Sequence, residues 1–150
     1  MSAPELEGGT LLLMASNAFK GRELPDKVAL ELNEAMARNM RILVGEATGC
    51  RGFQDHLHRA RYPLVTVGHM RKVRYNAGDW PTQAFGDDLE EKELRMIEEC
   101  DSAIVIWVNK SGVIARNIQS LKKQYKPVFL YECWTDTSNV NSGWVEYERA

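Results

Sequence analysis

The chain has 150 residues, 44% hydrophobic and 27% charged, a composition that fits one soluble globular domain with a substantial core. Its formal net charge of −2 leaves no basic footprint for duplex nucleic acid, and no apolar run approaches the roughly 18 to 20 residues of a membrane span. Cys50, Cys100 and Cys133 are odd in number and widely spaced, which indicates neither a disulfide framework nor a zinc site. No metal or cofactor is implied. The N-terminus is acidic where a secretory signal would be basic, so a cytoplasmic location is expected.

Residues 1–9 are polar and expected to fray. The apolar run from Thr10 to Ala15 predicts a first buried strand. A polar loop follows from Ser16 to Leu24. Pro25 and Asp26 suit a helix start, and Val28, Leu32, Ala35 and Met36 keep the helical period to about Asn39. Ile42-Leu43-Val44 is a second buried strand. It runs through a turn punctuated by Gly45 and Gly49 into a helix whose Phe53 and Leu57 share a face.

Pro63 introduces a third strand, Leu64 to Val67, followed by a long loop from Gly68 to Gly86 of the length that is usually functional or mobile. Asp87 or Asp88 caps a helix reaching about Glu99, with the run Glu90-Glu91-Lys92-Glu93 as its exposed face. Ser102 to Val108 is a strongly apolar fourth strand. Ser111 is positioned to cap the next helix, in which Ile114, Ile118 and Leu121 align. Val128 to Tyr131 is the fifth strand, and residues 132–150 form a polar extension without a period.

Alternating strands and helices predict an α/β, Rossmann-like three-layer fold over residues 1–150, with a mostly parallel five-stranded sheet in the order 3-2-1-4-5. The strand order reverses between the first and fourth strands, and ligands in such sheets bind at the carboxyl ends there. Three loops converge on that point. The first carries Ser16 and Asn17, the second Gly45, Glu46, Thr48 and Gly49, and the third Ser111 and Gly112. A strand entering a helix through glycines aims free amides at an anion, which suits a phosphate. Arg51 and Arg74 are candidate phosphate contacts, Asn76 a base or ribose contact, and Trp80 a stacking platform or a loop anchor.

The residues Gly45-Glu46-Ala47-Thr48-Gly49-Cys50-Arg51-Gly52-Phe53-Gln54-Asp55-His56-Leu57 resemble a motif of small single-domain SLOG proteins, relatives of DprA and of the Lonely Guy enzymes. Arg74, Asn76, Gly78 and Trp80 match a second motif of that branch; Asp101, Trp107, Ser111, Asn117 and Ile118 match a third. The resemblance spans roughly residues 10–131. It implies a Rossmann-like fold with a nucleotide-type pocket, in which Asn117 joins the candidate ligand contacts. The phosphate-cradling Gly-Thr pair is here Val113-Ile114, and the glycine run and glutamate of phosphoribohydrolysis have no counterpart.

Three functions follow as expectations. The first is binding of a nucleotide or nucleotide-derived small molecule at the carboxyl edge of the sheet. The second is metal-independent hydrolysis of a nucleotide N-glycosidic bond, with Glu46 as the catalytic carboxylate. The third is an interaction module with a degenerate pocket. Related folds pair through helices, so a homo-oligomer is expected.

Overall fold

The structure is a computed structural model that describes residues 9–19, 23–110, 112–134 and 140–145. Seven strands form one sheet: β1 (Thr10–Ala15), β2 (Arg41–Gly45), β3 (Val65–His69), β4 (Thr82–Ala84), β5 (Ser102–Val108), β6 (Val128–Cys133) and β7 (Val140–Val145). Four helices connect them: α1 (Asp26–Ala37), α2 (Arg51–Arg59), α3 (Leu89–Glu99) and α4 (Ile114–Lys123). The spatial order is β4-β3-β2-β1-β5-β6-β7, parallel throughout except for β7, which runs antiparallel to β6. The expected α/β sheet is present, and its five strands keep their relative order. The expected count is corrected from five to seven, because one strand lies inside the long loop and another inside the C-terminal extension.

Both additions have a physical explanation. All three residues of β4 are exposed, so it carries no hydrophobic signal; its strand character comes from its ladder with β3, with Val67 N donating to Pro81 O at 2.9 Å and Phe85 N to His69 O at 2.8 Å. β7 is fastened by Trp144, whose ring meets Phe129 edge-on at 5.6 Å. Neither partner is visible from local periodicity.

The pleat of the central strands sorts their side chains into two layers. Leu11, Leu13, Ile42, Val44, Ile104 and Ile106 face α1 and α2, where they meet Val28, Leu32, Phe53 and Leu57. Leu12, Met14, Leu43, Ala103 and Val105 face α3 and α4, against Met96, Ile97, Ile114 and Leu121. Helices on both faces explain why the strands read as continuous apolar runs rather than alternating ones.

The caps partly follow expectation. Asp88 caps α3, its Oδ1 accepting from Glu91 N at 2.8 Å. At α4 the cap position is Val113, which makes no side-chain cap bond; Ser111 lies outside the described residues. The turn into α4 passes through Asn109, Lys110 and Gly112, all with left-handed backbone angles. No helix among the described residues is long and apolar enough to cross a membrane.

Candidate functional site

A cavity of about 870 Å³ opens at the carboxyl ends of β1 and β2, beside the divergence of β1 and β5. This size lies in the upper part of the range for small-molecule sites. Ala15, Ser16 and Asn17 line it from the end of β1, and Gly45, Thr48 and Cys50 from the end of β2 and the 3-10 turn that follows. The long loop contributes Met70 and Arg74. Helix α3 contributes Leu89, Lys92, Glu93 and Met96, and the start of α4 adds Gly112, Val113 and Ile114.

The charged centre of the site is Glu46. Its carboxylate is almost wholly buried just beneath the cavity wall. Arg74 grips it in a fork, Nε to Oε2 at 2.6 Å and Nη2 to Oε1 at 3.2 Å. Lys92 Nζ stands 3.6 Å from Oε1. Burial pushes the Glu46 pKa up, but the Arg74 hydrogen bonds and the Lys92 charge outweigh it and hold the carboxyl below the usual glutamate range. In turn, the Glu46 hydrogen bond raises the pKa of Arg74.

Arg74 sits on an irregular loop, and Gln54 on α2 holds that loop in place. Gln54 is fully buried; its Nε2 donates to Gly45 O at 2.9 Å and to Tyr75 O at 3.1 Å, while its Oε1 accepts from Ala77 N at 2.9 Å. One amide thus ties the end of β2 to the segment that carries Arg74.

Asn76 and Trp80 brace the same segment rather than the cavity. Asn76 Nδ2 donates to Trp80 O at 2.9 Å and its Oδ1 accepts from Trp80 N at 3.0 Å. Trp80 is buried, with Nε1 donating to Tyr62 O at 2.9 Å. Arg51 also lies off the cavity wall, its guanidinium 4.8 Å from the centre of the Tyr75 ring, and the Tyr75 hydroxyl bonds to Asp55. This cation–π contact accounts for a cation at the start of α2, where the helix dipole disfavours one.

Ser16 has a double position. It lines the cavity, and its Oγ accepts from Val108 N at 3.0 Å, stitching the end of β1 to β5. Gly49 is required by close approach: a Cβ there would lie 2.4 Å from Ser16 O and 2.8 Å from Ala15 O. Asn117 is fully buried off the cavity wall, and its Nδ2 donates to Glu93 Oε2 at 2.9 Å. Asp101 serves the opposite edge of the sheet, where Oδ2 accepts from Gly9 N and Thr10 N, both at 3.0 Å.

The structure therefore brings Ser16, Asn17, Gly45, Thr48, Arg74 and Gly112 to the cavity, with Glu46 directly beneath. Gly49, Arg51, Asn76, Trp80 and Asn117 shape its surroundings. Sequence reasoning missed Lys92 and Glu93. The run from Glu90 to Glu93 is not uniformly exposed, because Lys92 is 3% exposed and the Glu93 side chain 12%. The available signal was spacing, since Leu89, Lys92, Glu93, Met96 and Ile97 fall on one helical face.

Burial pushes the Glu93 pKa up, opposed by the Asn117 hydrogen bond and by the Lys92 and Arg116 charges. A raised folded-state pKa contributes stability that is complete below the ordinary glutamate value, about 4.3, and is lost as pH rises through the folded value. Glu93→Gln keeps an acceptor for Asn117 without the buried charge. Its melting temperature should therefore rise relative to wild type between pH 4 and pH 7.5, as read by thermal unfolding at the two pH values. An unchanged difference would show that Glu93 ionises freely.

Cys50 lies on the cavity wall but is inert by environment. Burial pushes its thiol up to about 11, only partly offset by the Lys92 charge.

Comparison with known protein families, with curated proteins and with solved structures returned no match to this chain.

Proposed function

We propose that the protein binds a nucleotide or nucleotide-derived small molecule in the cavity at the carboxyl edge of the sheet. The observation that carries this reading is the cavity's place, beside the point where the strand order reverses, with charged groups and apolar side chains on one continuous wall. The SLOG resemblance supports it, because Gly45 and Arg74 of the matched motifs line that wall. The free thiols of Cys50 and Cys100 fit a reducing, cytoplasmic setting.

The test is a thermal-shift screen against nucleosides, nucleotides and dinucleotides, including NAD and ADP-ribose. A ligand at a hundredfold excess over its Kd stabilises the folded state by about 2.7 kcal/mol, a shift on the order of 5 to 10 °C for a domain of this size. Silence across the panel, repeated by calorimetry, would overturn the reading and leave an interaction module.

Hydrolysis of an N-glycosidic bond is a second reading, favoured by one observation about the carboxylates. The environments of Glu46 and Glu93 push their pKa values in opposite directions. Such a split separates acid from counter-ion. Glu46, gripped by Arg74 and held ionised, suits the counter-ion; Glu93, on the cavity wall with its pKa raised, suits the proton donor to a leaving base. Release of free base from nucleoside monophosphates, abolished in Glu93→Gln, would support this reading. No release from purine or pyrimidine substrates would sink it.

A further inference from the structure

We propose that Lys92 is an anion seat, and that the cavity takes an amphiphilic anion: a phosphate or carboxylate on Lys92, joined to an apolar body resting against α3 and the start of α4. The proposal rests on the binding reading above and adds the chemistry and orientation of the ligand.

The first observation is an under-used buried cation. Lys92 is 3% exposed and lines the cavity, yet its ammonium comes no closer than 3.6 Å to the nearest carboxylate oxygen among the described residues, Glu46 Oε1. Its ion-pair distance to Glu46, 3.6 Å, is too long for an N–H···O bond. An ammonium carries three donors, and on the cavity wall these are available to an acceptor inside it. Glu46 is already committed to Arg74 through both oxygens, so two cations share one carboxylate.

The other carboxylate on the wall does not restore the balance. Glu93 Oε2 accepts from Asn117 at 2.9 Å and its Oε1 is 3.8 Å from Arg116 Nη2, so it is engaged away from Lys92. Among the described residues, the Glu46 corner of the cavity therefore holds two cations, Arg74 and Lys92, against one carboxylate.

The second observation is the opposite character of the remaining wall. Leu89 and Val113 are each 38% exposed and both line the cavity, together with Met14, Met96 and Ile114. Large apolar side chains left open at a cavity are suited to an apolar partner surface. A phosphate at the first turn of α4 would have to sit among Val113 and Ile114. Charge and apolar surface thus point to one orientation, with the anion toward β2 and the apolar body toward α3 and α4.

Calorimetry with adenosine, AMP, inorganic phosphate and benzoate tests this. AMP should bind at least tenfold more tightly than adenosine, and inorganic phosphate alone should bind weakly, because it lacks the apolar body. Benzoate binding better than AMP would assign the anion as a carboxylate. Lys92→Met keeps the apolar stem and should erase the AMP-over-adenosine preference, while Lys92→Arg should retain it. Val113→Asp should weaken AMP and adenosine alike.

Equal binding of AMP and adenosine by the wild type, with no benzoate binding, overturns the anion seat while leaving the pocket reading intact. Retention of the AMP preference in Lys92→Met does the same. Failure of every probe and of the wider nucleotide panel overturns both. If Lys92→Met does not fold, the wild-type affinities still decide the matter.

Discussion

Glu46→Ala is expected to lower stability by about 3 kcal/mol, a fall in melting temperature on the order of 10 °C. The reason is less the lost Arg74 bond than what remains. Arg74 is 57% exposed on its side chain and can turn to solvent, whereas Lys92 would be left as a buried ammonium without its counter-charge. The low end of the range for breaking a buried pair applies, because Lys92 borders a cavity. Glu46→Ala combined with Lys92→Met should recover part of the loss, since the double variant contains neither buried charge. Urea unfolding of the three variants measures the coupling. Additive losses would show that Lys92 does not depend on Glu46.

The same pair sets an acid dependence of the opposite sign to that of Glu93. A depressed folded-state pKa gives stability that is complete above the ordinary glutamate value, about 4.3, and is lost as pH falls through the lower folded value. The wild type should therefore lose its advantage over Glu46→Gln in that acid window.

Gly49→Ala is the second large effect, about 3 kcal/mol destabilising by steric overlap. The added methyl would lie 2.4 Å from Ser16 O and 2.8 Å from Ala15 O, both backbone atoms that no rotamer change can move aside. The turn after β2 would have to withdraw from the end of β1, and the cavity wall between Ser16 and Thr48 would open. Ligand affinity should fall together with stability. Gly45→Ala is the control: the nearest atoms to its Cβ would be Lys92 Nζ at 3.5 Å and Cys50 Sγ at 3.7 Å, ordinary contacts, so its stability should stay within about 1 kcal/mol of wild type. Equal losses at the two glycines would contradict the geometry.

This contrast shows how differently the two glycines were legible. As letters they look alike, two glycines in one turn. Only the packing of that turn against β1 separates a position that tolerates a methyl group from one that excludes it. Arg51, Asn76 and Trp80 make a similar case. Their residue types suit a nucleotide, but their partners are Tyr75, each other and Tyr62.

The sequence by itself determined the alternating architecture, the strands β1, β2, β3, β5 and β6, and the edge of the sheet where the cavity lies. Those features follow from contiguous apolar runs and helical periods, which are local and survive in one dimension. The tertiary structure alone decided which charges are inside. Lys92 and Glu93 belong to a run of charged residues that reads as a solvated face, and they are buried because α3 packs its Leu89–Met96 side over the ends of β1 and β2. The energy of a buried charge depends on its distance to a partner remote in sequence, here Lys92 to Glu46. No local pattern encodes that distance.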